Sequence, residues 1–157
     1  MYLAIITLIA WSVMILFIIV PKWLTLTEMV FLYFIIGIVT VTLFTVLDMN
    51  LHWVPVTRNV EKSLALDICR FIIIPLLVII AAGMLNAPLR FRWRLTMGSI
   101  IMVLLMANDW IMQRFRLIFF HHWNFLYSFL MYGVFIVVLA FIARWFIRLE
   151  RGGLKQS

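Results

Sequence analysis

The chain has 157 residues, 67% of them hydrophobic and 12% charged, with a mean hydropathy of +1.17. Soluble domains are roughly half apolar, so a soluble globular fold is excluded and one membrane domain is expected. The net charge of +7 does not point to nucleic acid, because Lys and Arg stand at the ends of apolar runs, where headgroups and the positive-inside rule account for them.

Met1 to Val20 is almost wholly apolar and lacks the basic start and small-residue cleavage site of a signal peptide, so it reads as an uncleaved transmembrane helix. Pro21 stops it, and Lys22 with Trp23 forms an interfacial anchor. A second helix is expected from Thr25 to Leu47, with Thr25 or Thr27 as cap and Glu28 reaching the early amides. The hydroxyls of Thr40, Thr42 and Thr45 are expected on the carbonyls of the preceding turn. Asp48 follows, on the same face as Gly37, where a small residue permits close helix approach.

The linker from Asp48 to Ser63 carries His52, Trp53 and Pro55 and reads as a surface segment, with Ser63 the N-cap of the next helix. Leu64 to Leu85 has the length of a membrane span, yet it contains Asp67, Arg70 and Pro75. Charges in lipid face protein or water and pair with each other, and Asp67 and Arg70 are three apart, within pairing reach. Pro75 lacks an amide donor, so a kink is expected near Phe71. The lone cysteine, Cys69, excludes an internal disulfide and reads as apolar packing.

The connection to the fourth helix interleaves Arg90, Arg92 and Arg94 with Phe91 and Trp93, a composition suited to lipid headgroups. The fourth helix is expected from Leu95 to Met112, with Asn108 and Asp109 near its end and Gly98 on the Asp109 face. The fifth runs from Trp123 to Ile147, and Asn124, Ser128 and Tyr132 recur along it as a polar seam of the kind that joins helices. Arg144 and Arg148 mark its exit. The fold class expected is an all-α, polytopic, five-transmembrane-helix bundle.

Five spans divide the basic residues eight to five: Lys22, Arg90, Arg92, Arg94, Arg144, Arg148, Arg151 and Lys155 against Arg58, Lys62, Arg70, Arg114 and Arg116. This places the N-terminus outside and the C-terminus in the cytoplasm. Asp48, Asp67 and Asp109 then share a depth near one membrane face, with Arg70 and Asn108 slightly deeper and His52, His121 and His122 in the loops above. Two accounts of this cluster differ. In one it is a polar vestibule for a cation, proton or amine. In the other, Asp67 with Arg70 and Asp109 with Arg114 or Arg116 are interfacial ion pairs that fix register; the second pair has the wrong spacing unless the helix ends.

The histidines lack the i, i+4 spacing of helical metal sites, so no metal and no cofactor are expected. Ser63, Ser99 and Ser128 lack a glycine-rich turn, Cys69 has no histidine on its own helix, and no P-loop or dinucleotide fingerprint occurs. Asp109 in an outward helix, the run His121, His122, Trp123, Asn124, then Ser128 and a last apolar helix with basic residues at its end form a recognisable series. From Glu28 to Leu149 this layout resembles a group of small, uncharacterised multi-pass membrane proteins of spore-forming Firmicutes. In that group an acid precedes a Trp-x-x-x-x-Ser stretch; Trp123 and Ser128 fit it, and Asp109 stands where Glu is expected. The resemblance implies a bacterial cytoplasmic membrane and no defined activity.

The reading is a non-enzymatic membrane component acting through lipids and a membrane-protein partner or a second copy of itself. The alternatives are a small oligomeric cation- or proton-linked transporter using Asp67 and Asp109, and a membrane enzyme on lipid-linked substrates, which needs His121 or His122 beside Asp109.

Overall fold

The computed structural model describes residues 2–21, 24–50, 60–88, 90–118 and 124–153, the side chains at 47, 50 and 149–153 excepted. Helix α1 (Tyr2–Ile19) is followed by α2 (Leu26–Thr45), which runs on into a π-helical turn at Val46–Asn50. Then come α3 (Val60–Ile68), a second π-helical turn at Cys69–Ile73, α4 (Ile74–Asn86), α5 (Phe91–Arg114) and α6 (Phe125–Gly153). Among the described residues, five spans are long and apolar enough to cross a membrane, α3 and α4 forming one of them, Val60–Asn86. The fold is an all-α bundle of a membrane-embedded protein.

The start of α2 follows from three residues. Thr25 Oγ1 accepts from the Glu28 amide at 3.3 Å, and Glu28 Oε2 accepts from the Thr25 amide at 2.7 Å, a reciprocal capping box. Two other expected starts move. α3 begins at Val60, so Ser63 lies inside the helix rather than capping it; Lys62 Nζ sits 5.4 Å from the Tyr2 ring centroid, a contact that holds this extra turn against α1. α5 begins at Phe91, so Arg92, Trp93 and Arg94 belong to its first turn and not to a hairpin.

The span Val60–Asn86 is the centre of the bundle. It is 61% buried, against 17% to 28% for the other four, and it packs on α1, α2, α5 and α6. Its small and branched residues Ala81, Ala82, Val78 and Leu77 allow helices on all sides. The surrounding spans turn Leu8, Ile18, Phe34, Ile38, Val103 and Leu126 outward; in lipid such an apolar girdle carries no penalty. The close approach expected at Gly37 does not occur, since nothing lies within 4 Å of a Cβ built there, and the same holds at Gly98. Tight contact falls instead at Gly133, where Met102 Cε is 3.4 Å from such a Cβ, and at Gly83, beneath Leu24.

Pro75 acts as its chemistry requires. It has no N–H for the carbonyl of Phe71, four residues earlier, and the expected distortion takes the form of the π turn, in which the Ile74 amide reaches back to the Cys69 carbonyl. The Phe71 carbonyl is satisfied from outside its own helix, by the Tyr33 hydroxyl of α2 at 2.8 Å. An unpaired backbone carbonyl in lipid is costly, so Tyr33 ties α2 to the central span. Tyr33→Phe is expected to cost about 1 kcal/mol. In a Pro75→Ala background, where residue 75 regains its amide, that cost should fall toward zero. Equilibrium unfolding of the four proteins of this double-mutant cycle in mixed micelles checks it; equal costs in both backgrounds would show that the two residues are not coupled.

Candidate functional site

The start of α1, the start of α3 and the end of α5 share one end of the bundle, as the Tyr2 ring, tilted against that of Phe115 with centroids 5.2 Å apart and close to Lys62, shows. The candidate residues Asp48, Asp67, Arg70, Asn108 and Asp109 gather toward this end, in two adjoining groups.

The first group surrounds Arg70. Its guanidinium lies over the Phe44 ring, Cζ 4.2 Å from the centroid, and feels the charges of Asp67 and Asp48. Among the described residues, its Nε and Nη2 are buried without a hydrogen-bond partner. Asp67 is an electrostatic neighbour of Arg70, and the π face of Phe44 lies beneath the cation. The π turn begins at Cys69, between the two residues, and changes the regular i, i+3 geometry.

The second group surrounds Asp109. This carboxylate is 3% exposed and accepts from the Tyr132 hydroxyl of α6 at 2.8 Å. Ser128, one turn earlier on α6 and equally enclosed, hydrogen-bonds to the same carboxylate. The expected pairing of Asp109 with Arg114 or Arg116 is replaced by these hydroxyls. α5 remains helical to Arg114, so that residue stays on another face and both arginines are exposed. Arg116 follows the helix with a positive φ of 54°, in the left-handed region that often ends a helix.

The polar seam of α6 is thus a bridge to α5 through Ser128 and Tyr132, while Asn124 is exposed at the start of the helix, its carbonyl accepting from the Tyr127 and Ser128 amides. The four-residue spacing marked the bridging face, but only the fold supplies its partner. Asn108, beside Asp109, is 3% exposed, and among the described residues neither its Oδ1 nor its Nδ2 has a partner. Cys69 is a buried free thiol between the two groups. Among the described residues, no set of three His, Cys, Asp or Glu side chains is arranged to hold a metal; His52, His121 and His122 lie outside the described residues.

Next to Tyr132 a cavity of about 470 Å³ opens between α2 and α6, lined by Ile35, Thr40, Phe44, Leu130, Val134, Val138 and their neighbours. Its volume is in the range of small-molecule sites, roughly 300–1,000 Å³, but its walls are almost entirely apolar. Val134 is 63% exposed, so the groove faces the surroundings of the bundle. Thr40 departs from the expected threonine pattern: among the described residues its buried Oγ1 has no partner, although elsewhere Thr7, Ser12 and Thr96 bond the carbonyl four residues back. The groove wall at Thr40 is therefore polar at one atom.

The arginines proposed for headgroups separate. Arg90 and Arg92 are exposed, and Arg94 is half-buried in a cavity at the opposite end of the bundle. No protein-family model, curated protein or solved structure matches the chain.

Removal of the Tyr132 hydroxyl takes a donor from an enclosed carboxylate, so Tyr132→Phe is expected to destabilise the protein by about 1.5–3 kcal/mol. Thr7→Val, which removes an exposed hydroxyl bonded within its own helix, should cost no more than about 0.5 kcal/mol. Unfolding midpoints in detergent compare the two; similar costs would deny the Asp109 network a structural role.

Proposed function

We propose that this chain is a non-enzymatic component of the bacterial cytoplasmic membrane, an accessory or structural subunit that acts through helix-to-helix and lipid contacts. The observation that carries the reading is the groove between α2 and α6. Its walls are apolar and outward-facing, while the buried carboxylate of Asp109 and the exposed hydroxyl of Tyr33 are engaged by this chain's own helices. Such a surface offers shape complementarity with almost no hydrogen bonding, which suits the side chains of a neighbouring transmembrane segment. The eight-to-five division of basic residues along the sequence supports a cytoplasmic C-terminus. The resemblance to the Firmicutes group supports the cytoplasmic membrane.

A second reading draws on Asn108 and Arg70, whose buried polar atoms lack partners among the described residues. These groups stand near Asp67 and Asp109 and support an oligomeric cation- or proton-linked transporter whose path is completed by a second copy.

A photo-crosslinking residue placed at Val134 in the groove and, for reference, at Leu8 on the outward face of α1 tests the first reading in intact cells. A discrete protein adduct from Val134 and lipid adducts alone from Leu8 are expected. Lipid adducts alone at both positions would overturn the partner reading. Proton or sodium flux into proteoliposomes that is abolished by Asp109→Asn would put the transporter in its place.

A further inference from the structure

At the end of the bundle where α4 stops and α5 begins, a cavity of about 180 Å³ is walled by Leu85, Leu95, Val137 and Phe141 and entered by Arg94 and Arg144. Among the described residues lining it, none is acidic. The Nε of Arg94 is buried and has no hydrogen-bond partner among the described residues. Arg144 donates Nε to Asn86 Oδ1 at 2.8 Å. Asn86 is itself held by its Nδ2, which donates to the carbonyls of Ala82 at 2.9 Å and Ala140 at 3.3 Å. One guanidinium is therefore fixed in place by a bridge between α4 and α6, and the other is partly desolvated and waits for an acceptor.

We propose that the cavity between Arg94 and Arg144 binds the phosphodiester of an anionic membrane phospholipid, with the first stretch of an acyl chain lying along Val137 and Phe141. A guanidinium fork matches phosphate oxygens in geometry as well as charge, and a buried donor without a partner is expensive until an acceptor arrives. The position is right for a lipid. The site lies at the ends of α4 and α5, while α6 continues to Gly153, about nine residues or ~13 Å beyond Arg144 at the helical rise.

The outer wall is accessible to a bilayer chain, since Leu95 is 52%, Val137 51% and Phe141 65% exposed. Among the described residues of the lining no carboxylate stands opposite the ammonium of a zwitterionic lipid, so the cavity favours a headgroup with net negative charge. Arg90 and Arg92, exposed nearby on the chain, add positive potential that draws such lipids to the surface. The site rests on the embedding of the bundle in a membrane and is independent of what occupies the groove between α2 and α6.

The test uses the full chain in nanodiscs containing equal phosphatidylglycerol and phosphatidylcholine, released into native mass spectrometry. The wild type is expected to retain one phosphatidylglycerol in preference to phosphatidylcholine. Arg94→Gln and Arg144→Gln should each reduce that preference roughly tenfold, the loss of a charge-assisted hydrogen bond, and Arg114→Gln, exposed at the other end of α5, should leave it unchanged. Equal retention of the two lipids by the wild type, or an unaltered preference in the Arg94→Gln and Arg144→Gln double variant, would overturn the proposal. Should Arg94→Gln yield no folded protein, Arg144→Lys keeps the charge and loses the fork. A roughly threefold to tenfold fall is then expected, and an unchanged ratio overturns the proposal equally.

Discussion

The missing amide hydrogen of Pro75 is the constraint on which the arrangement of the bundle depends. Lipid supplies no water to a backbone carbonyl left without its donor, so the central span must find its compensation in protein. It does so by widening one turn at Cys69–Ile73 and by accepting the Tyr33 hydroxyl at Phe71. The first adjustment alters the relation between Asp67 and Arg70 and accompanies the seat of the guanidinium on Phe44. The second binds α2 to the central span. One residue type thus connects local backbone chemistry, the packing of a neighbouring helix and the position of the charge nearest the candidate site.

The polar groups that remain are arranged differently at the two ends. Toward the end where α5 stops, Arg70 sits among acids, and Asp109 is served by Ser128 and Tyr132 from one face of α6. Toward the other, guanidiniums and the Asn86 amide dominate, and Arg144 is aligned by a side chain that also bridges α4 to α6. Neutral hydrogen bonds between helices in membranes contribute modestly each, on the order of 1 kcal/mol or less, and the one to the Asp109 carboxylate somewhat more. Their value here lies in register: each engages a particular residue on a particular turn, which apolar packing between Leu, Ile and Val side chains specifies less sharply.

The spans were legible in the sequence because lipid imposes a length and an apolar composition, and because Thr25 with Glu28 and Pro75 carry local signals independent of tertiary context. Helix starts at Val60 and Phe91 were less so. Arg92, Arg94 and Lys62 are polar and sit on first turns that precede the apolar run, so hydropathy began each helix too late. The cluster of acids was readable as an approximate depth, since antiparallel spans of similar length bring Asp48, Asp67 and Asp109 toward one end. Its bonding was not. Whether Asp109 meets an arginine or a tyrosine depends on which helix packs against α5, and that is a property of the assembled bundle. The glycines misled for the same reason: Gly37 and Gly98 lie on plausible contact faces, but the neighbours approach at Gly83 and Gly133 instead.

The walls of the groove between α2 and α6 are each fastened near both ends. On α2, Tyr33 is tied to the Phe71 carbonyl and Phe44 lies under Arg70. On α6, Tyr132 is tied to Asp109 and the Ala140 carbonyl to Asn86. Ile35, Val39, Val134 and Val138 line the slot between these fastenings. Each wall is thereby held to the rest of the bundle on both sides of the slot, so widening it would work against these fastenings. A segment that already had the matching cross-section would fit with little loss of conformational freedom by the host.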